Sequence, residues 1–137
     1  MSAENKAFFQ KFIDGMNAQG ISFSDELLDA NYIEHDPEPG VPPGIDGIKQ
    51  MMSMSYSAFP DLKATINQLV AEGDLVAGHM TTEGTPTGEF MSIPASGKKI
   101  SITQMHLGRI ANGKAVEHWG LANAMAMMQQ LDVIPEN

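Results

Sequence analysis

The chain has 137 residues, of which 42% are hydrophobic and 18% are charged, and these values are typical of one globular domain. Its 17 acidic and 8 basic side chains give a formal net charge of −9, which disfavours nucleic acids and anionic membranes as partners because phosphates are bound by clustered Lys and Arg. The absence of cysteine excludes disulfides, thiol nucleophiles and zinc–thiolate sites.

No apolar run reaches the roughly 18 residues that a membrane-spanning helix needs. The residues after Met1 also lack the basic start and the apolar stretch of a signal peptide. We therefore expect a single cytoplasmic domain over residues 1–137, with no membrane partner.

The first part of the chain has the pattern of helices. Apolar side chains at helical spacing predict a helix over residues 3–18. A short second helix is predicted to begin with Ser24 as its N-cap and to carry Leu27 and Leu28. The apolar residues of the first helix are Phe8, Phe9, Phe12, Ile13 and Met16.

Residues 35–44 are predicted to form a loop. Four prolines in this stretch remove backbone donors and fix φ, which is incompatible with the interior of a helix or strand. A helix is predicted to follow, with Asp46 as its N-cap, and to run to about Phe59, where Pro60 ends it.

The second part of the chain has the pattern of strands. Helices followed by an antiparallel meander indicate an α+β domain. We expect the N-terminal helices to pack on a curved antiparallel sheet, forming a cone with an internal pocket for a small molecule. The predicted strands span residues 63–71, 75–83, 99–110 and 114–122, and a last short helix ends near Val133.

The pair Asn112-Gly113 is the strongest hairpin signal, since a type I′ turn needs positive φ at both central residues. A two-residue turn pairs Ala111 with Lys114 and fixes the register of the last two strands. The pairs that follow from this register are His106–Trp119, Leu107–His118 and Met105–Gly120.

Alternation in this register sorts the side chains of the hairpin onto two faces. A shared face would let Glu117 orient the imidazole of His106. The sequence leaves open which face lines the pocket, and a slip of one residue would exchange the two sets. One face holds Gln104, His106, Glu117, Trp119 and Leu121, and the other holds Met105, Leu107, Arg109, Val116, His118, Gly120 and Ala122.

Several short motifs, in this order and spacing, resemble the SnoaL-like polyketide cyclases, also called ester cyclases. The resemblance implies a cystatin-like α+β cone shared with ketosteroid isomerase and limonene-epoxide hydrolase. It also implies homodimers, no metal, no organic cofactor, and ring closure by intramolecular aldol condensation. The motifs are residues 59–62, 72–76, 84–90, 94–98, 112–119 and 129–131.

The chain departs from that family at the residue expected to carry the proton. In the well-studied cyclases this residue is an aspartate beside the tryptophan of the Glu-His-Trp motif, whereas Gly120 follows Trp119 here. Neutral Asn123 stands where other relatives also have an acid. We therefore expect His106 or His118 to act as the base, because imidazole titrates near neutral pH. Asn123 would donate a hydrogen bond to an enolate oxygen.

The remaining candidates are expected to line the pocket that binds a hydrophobic, carbonyl-bearing small molecule. Three functions stay open: a cyclase or isomerase, a binding module of the same fold without chemistry, and a protein that dimerises through its sheet. Each histidine could instead be structural, and Trp119 could simply fill the core. The expected pocket residues are Tyr32, His35, Phe59, Met105, Leu107, Trp119 and Gly120.

Overall fold

The computed structural model describes residues 2–89 and 94–134. Phe90, the last residue of one of the motifs above, lies outside the described residues. The described residues form four helices and five strands. In chain order they are α1 (Ser2–Asn17), α2 (Phe23–Leu27), β1 (Leu28–Glu34), α3 (Ile45–Ala58), β2 (Lys63–Glu72), β3 (Leu75–Gly84), β4 (Ile100–Ala111), β5 (Lys114–Ala122) and α4 (Ala124–Gln130).

The α+β class is confirmed, but the sheet is mixed rather than an antiparallel meander. Its strand order is β1-β5-β4-β3-β2, and β1 runs parallel to β5. Leu28, predicted to lie in a helix, is the first residue of β1. The strand was missed because Asp29 and Asn31 are poor strand formers, so that pairing with β5 rather than local propensity holds it.

The helices lie close to their predicted positions, but two of their N-cap residues differ from the predicted ones. Ser24 lies inside α2, where its hydroxyl donates to the carbonyl of Ile21, and Ser22 is the N-cap. Asp46 lies in the first turn of α3, and Gly44 is its N-cap. The proline-rich segment between β1 and α3 contains no helix or strand, as predicted. None of the helices in the described part of the chain is both long and apolar enough to cross a membrane.

The last hairpin turns at Asn112-Gly113, with positive φ at both residues and Ala111 paired with Lys114, as predicted. The next pair, Ile110–Ala115, also keeps the predicted register. The pair after it is Arg109–Glu117, so Val116 has no partner in β4. This β-bulge shifts all later pairs by one residue. The three pairs predicted beyond it are therefore wrong, and the observed pairs are His106–Gly120, Leu107–Trp119 and Met105–Leu121.

The shift also corrects the predicted faces of the hairpin. His106, Gly120 and His118 now share the face that looks towards the helices. Between that face, α1 and α3, the fold encloses a cavity of about 350 Å³.

The proline-rich loop rests on α3 at Gly47. A Cβ atom placed there would lie 1.8 Å from the carbonyl oxygen of Pro42. Alanine normally stabilises a helix relative to glycine by about 1 kcal/mol. We expect Gly47→Ala instead to lower the free energy of unfolding by about 1–3 kcal/mol, because the loop backbone must move. Urea unfolding measures this change, with exposed Ser53→Ala in the same helix as the control. A more stable Gly47→Ala variant would show that the loop does not pack there.

Candidate functional site

The cavity has apolar walls and a polar end. Its walls come from α1, α3 and the inner face of the sheet. Apolar burial of this kind provides affinity, while a few polar groups fix the orientation of a ligand. Representative wall residues are Phe12, Ile13, Met52, Phe59, Met80 and Ile102.

Two imidazoles meet at the polar end. Nδ1 of His106 lies 2.8 Å from Nε2 of His118, and the ring centroids are 5.0 Å apart. The contact depends on Gly120, because a Cβ atom there would lie 2.7 Å from Cε1 of His118 and 2.9 Å from Nδ1 of His106. Any other residue at position 120 would push into the pair. The position where the family resemblance implies an aspartate is thus built to leave room for the two imidazoles.

Glu34 orients His118 from the neighbouring strand. Its Oε1 lies 2.6 Å from Nδ1 of His118 and also accepts from the hydroxyl of Tyr32 at 3.0 Å. Its Oε2 accepts from the backbone N–H of Asp36 at 3.2 Å. Both oxygens of this carboxylate, which is only 8% exposed, are therefore occupied by donors.

His106, the imidazole that does not contact Glu34, is held by side chains of β3 and β4. Nε2 of His106 lies 3.2 Å from Oε1 of Gln104, and the same oxygen accepts from the hydroxyl of Thr82 at 3.0 Å. The two imidazoles, Glu34 and Gln104 thus form one continuous hydrogen-bonded chain across three strands.

Burial and charge shift the pKa values of this chain. Burial lowers the pKa of His106 to about 4, and repulsion from His118 adds to the effect. Burial by itself would raise the pKa of Glu34, but the hydrogen bond and the charge of His118 bring that pKa below its usual value. Burial, together with the charge of Glu34, raises the pKa of Tyr32 well above its usual range. At neutral pH His106 and Tyr32 are therefore neutral and Glu34 is a carboxylate.

Four of the predicted pocket residues do not line the cavity. The side chain of His35 stacks on Trp119 on the opposite face of the sheet, with ring centroids 4.5 Å apart. Met105 and Leu107 lie on that outer face as well, because they alternate with His106 along β4. The predicted pocket residues that do line the cavity are Tyr32, Phe59 and Gly120.

The predicted contact between Glu117 and His106 is also absent. Oε2 of Glu117 lies 2.8 Å from Nε2 of His35, and its Oε1 accepts from Nε of Arg109 at 2.9 Å. Arg109, which also pairs with Asp74, is thus held by two carboxylates of its own chain.

Asn123 is not placed to donate to a ligand oxygen in the cavity. It is the N-cap of α4, and its side-chain oxygen accepts from the backbone N–H of Ala126 at 3.1 Å. Asn is among the residues preferred at this position, which explains its presence without a catalytic role.

Sequence reasoning missed Glu34 and Gln104 as parts of the site. The signal for Glu34 was the alternation of β1, in which Tyr32 and Glu34 are buried while Ile33 is exposed. It could be read only after β1 had been recognised as a strand. Gln104 had been assigned to the same face as His106, but no partner distinguished it from other polar residues.

Comparison with known proteins places the chain in a family. A family model for the SnoaL-like polyketide cyclases matches residues 6–131. The chain belongs to this family. Among the described residues of this SnoaL-like protein, no group of three or more His, Asp or Glu side chains is arranged to hold a metal ion.

The chain is also similar to individual proteins, one of which, AclR, is described as a putative hydroxylase. The chain is 26% identical over 106 residues to DnrD of Streptomyces peucetius, an aklanonic acid methyl ester cyclase, and this match spans 77% of the chain and 72% of DnrD. TsrD of Streptomyces laurentii is 28% identical with a TM-score of 0.87, over 96% of this chain and 97% of TsrD. AclR of Streptomyces galilaeus is 26% identical with a TM-score of 0.90, over 100% of this chain and 86% of AclR.

The lowered pKa of His106 predicts a loss of stability in acid. An unfolded histidine binds a proton near pH 6.5, whereas folded His106 does so only near pH 4. Acid therefore favours the unfolded state across this interval, by about 1.4 kcal/mol per pH unit at most. We expect His106→Asn to remove up to about 3 kcal/mol of the loss between pH 7 and pH 4, as measured by urea unfolding.

His79→Asn, on the outer face of β3, is the matched control for this measurement. It should leave the pH dependence of unfolding close to that of the unmodified protein. A His106→Asn curve parallel to that of the unmodified protein would contradict the burial of a neutral imidazole.

Proposed function

We propose that this protein is a cofactor-independent acid/base enzyme that cyclises or isomerises a hydrophobic, carbonyl-bearing small molecule. The single observation that carries the proposal is the hydrogen-bonded chain from Glu34 through His118 and His106 to Gln104, at the polar end of an apolar cavity. Similarity to DnrD, an aklanonic acid methyl ester cyclase, supports the same class of reaction.

We propose one distribution of protons that satisfies every hydrogen bond of this chain. Because the amide oxygen of Gln104 only accepts, Nε2 of His106 carries a proton. Neutral His106 then accepts at Nδ1, so His118 donates from Nε2. Glu34 accepts from Nδ1 of His118, which therefore carries protons on both nitrogens. The imidazolium is balanced by the carboxylate of Glu34.

A cationic donor in an apolar cavity suits the chemistry of carbonyl compounds. Removal of a proton next to a carbonyl places negative charge on its oxygen, and a preorganised donor stabilises that charge. Among the residues that the structure describes, no Lys or Arg lines the cavity. His118 is thus the cationic group at the cavity, and its Nε2 proton, which it shares with His106, is the proton that a ligand oxygen can take in place of His106.

Enolisation of a neutral bicyclic ketone tests this proposal. The probe is 2-tetralone, whose α-hydrogens exchange with D2O when the ketone enolises, and NMR measures the rate. We expect the protein to accelerate exchange. Glu34→Gln should lower the rate about 100-fold, because His118 then loses the negative partner that keeps it doubly protonated.

Glu83→Gln is the matched control, since Glu83 pairs with Lys99 away from the cavity. It should leave the exchange rate unchanged. Binding of 2-tetralone by the unmodified protein without any exchange would overturn the enzymatic proposal and leave a binding module of the same fold.

A further inference from the structure

Enolisation needs a base as well as an acid, and the imidazole pair supplies only the acid. His106 and His118 use all four ring nitrogens within the chain of hydrogen bonds, and three of these nitrogens carry protons in the distribution derived above. Neither ring therefore offers an unshared lone pair to a substrate. The search for a base rests on the proposed function.

Among the described residues four carboxylates line the cavity, and two of them, Glu34 and Glu117, are committed elsewhere. Both oxygens of Glu34 accept hydrogen bonds from Tyr32, His118 and the Asp36 backbone. Glu117 turns to His35 and Arg109. A base must come from a carboxylate that has an oxygen available and lies beside the imidazole pair.

Glu38 and Asp36 remain, and of these two it is Asp36 that is bonded to the residue against which the imidazoles pack. It lines the cavity from the start of the proline-rich loop, and its Oδ2 accepts from the backbone N–H of Gly120 at 3.0 Å. Gly120 is the residue against which both imidazoles pack. The carboxylate of Asp36 is thus attached to the backbone of the residue beside the acid, and that bond uses only its Oδ2. The backbone N–H of Asp36 donates to Glu34, and this second bond also holds the residue in position.

We propose that Asp36 is the catalytic base of this protein, supplied from the loop in place of the aspartate that is missing at position 120. The carboxylate of Asp36 removes the proton next to the substrate carbonyl, and the electron pair of the broken C–H bond forms the enol double bond. The carbonyl oxygen replaces Nδ1 of His106 as the acceptor of the Nε2 proton of His118 and takes that proton. Asp36 ends as a carboxylic acid and the imidazole pair as neutral rings, so that protons and charge balance.

Substitution can separate two properties of Asp36, its hydrogen bond to Gly120 and its ability to take a proton. In Asp36→Asn the amide oxygen can still accept from the N–H of Gly120, but it cannot take a proton. We expect kcat for 2-tetralone exchange to fall at least about 100-fold with KM nearly unchanged. Asp29→Asn is the control, because Asp29 also accepts a backbone N–H, from Asn31 at 2.8 Å, but does not line the cavity.

Chemical rescue gives a readout that a structural role would not produce. In Asp36→Ala the base is removed and a small space is left, so added sodium formate should restore part of the exchange rate in proportion to its concentration. Formate should have no effect on Glu34→Gln, which lacks the acid rather than the base.

The possible outcomes separate this inference from the proposed function. Full exchange by Asp36→Asn, combined with a loss in Glu34→Gln, would overturn the role of Asp36 and keep the enzymatic proposal. Loss in Asp36→Ala without rescue by formate would also overturn it, since a structural defect would then explain the loss. Absence of exchange in the unmodified protein would overturn both.

Discussion

One extra residue in β5 determines which side chains meet in the cavity. Val116 has no partner in β4, and the bulge that it forms moves every later residue of β5 to the other face relative to β4. Without it, His118 would point away from His106 and join the outer face. With it, the two imidazoles lie on one face and form a hydrogen bond of 2.8 Å. The geometry of the site is thus a consequence of strand register, and Gly120 is the residue that makes the resulting approach sterically possible.

The parallel pairing of β1 with β5 completes the arrangement. It sets Glu34 beside His118 and supplies a carboxylate at a depth where an isolated charge would be costly. A buried ion pair of this kind adds little net stability, because desolvation offsets much of the attraction. Its value lies in fixing positions: Tyr32 and the backbone of Asp36 hold the carboxylate, and the carboxylate holds the ring. The buried ion pair therefore defines the position of the His118 ring and of the proton between it and Glu34.

The elements that depend on local pattern could be predicted from the sequence, and those that depend on pairing between distant segments could not. Helical periodicity located α1, and Asn112-Gly113 located the last turn, because both signals lie within a few residues. The bulge leaves no such signal, since Val116 is as suitable for a regular strand as for a bulge. β1 contains poor strand formers, and only its contact with β5 makes it a strand.

The same distinction explains the candidate site. His106 and His118 could be selected from their chemistry alone, and the cavity contains both. Their relation to each other needed the register, and the role of Glu34 needed a strand that the sequence concealed. His35 and Trp119 were placed in the pocket because a loop residue and a lone tryptophan are plausible ligand contacts. They stack instead on the outer face, as alternation along β5 requires once the bulge is known.

The division of the site between sheet and loop has a consequence for specificity. The imidazole pair is held by the strands of the sheet, and the register of those strands fixes the position of both rings. Asp36 is held at the start of a loop, by the bond of its carboxylate to Gly120 and by the bond of its backbone N–H to Glu34. Changes in that loop can therefore alter which part of a substrate meets a carboxylate without disturbing the acid. In the proposed mechanism the acid lies in the sheet and the base in the loop, so that a carboxylate is bonded to position 120 although that position is glycine.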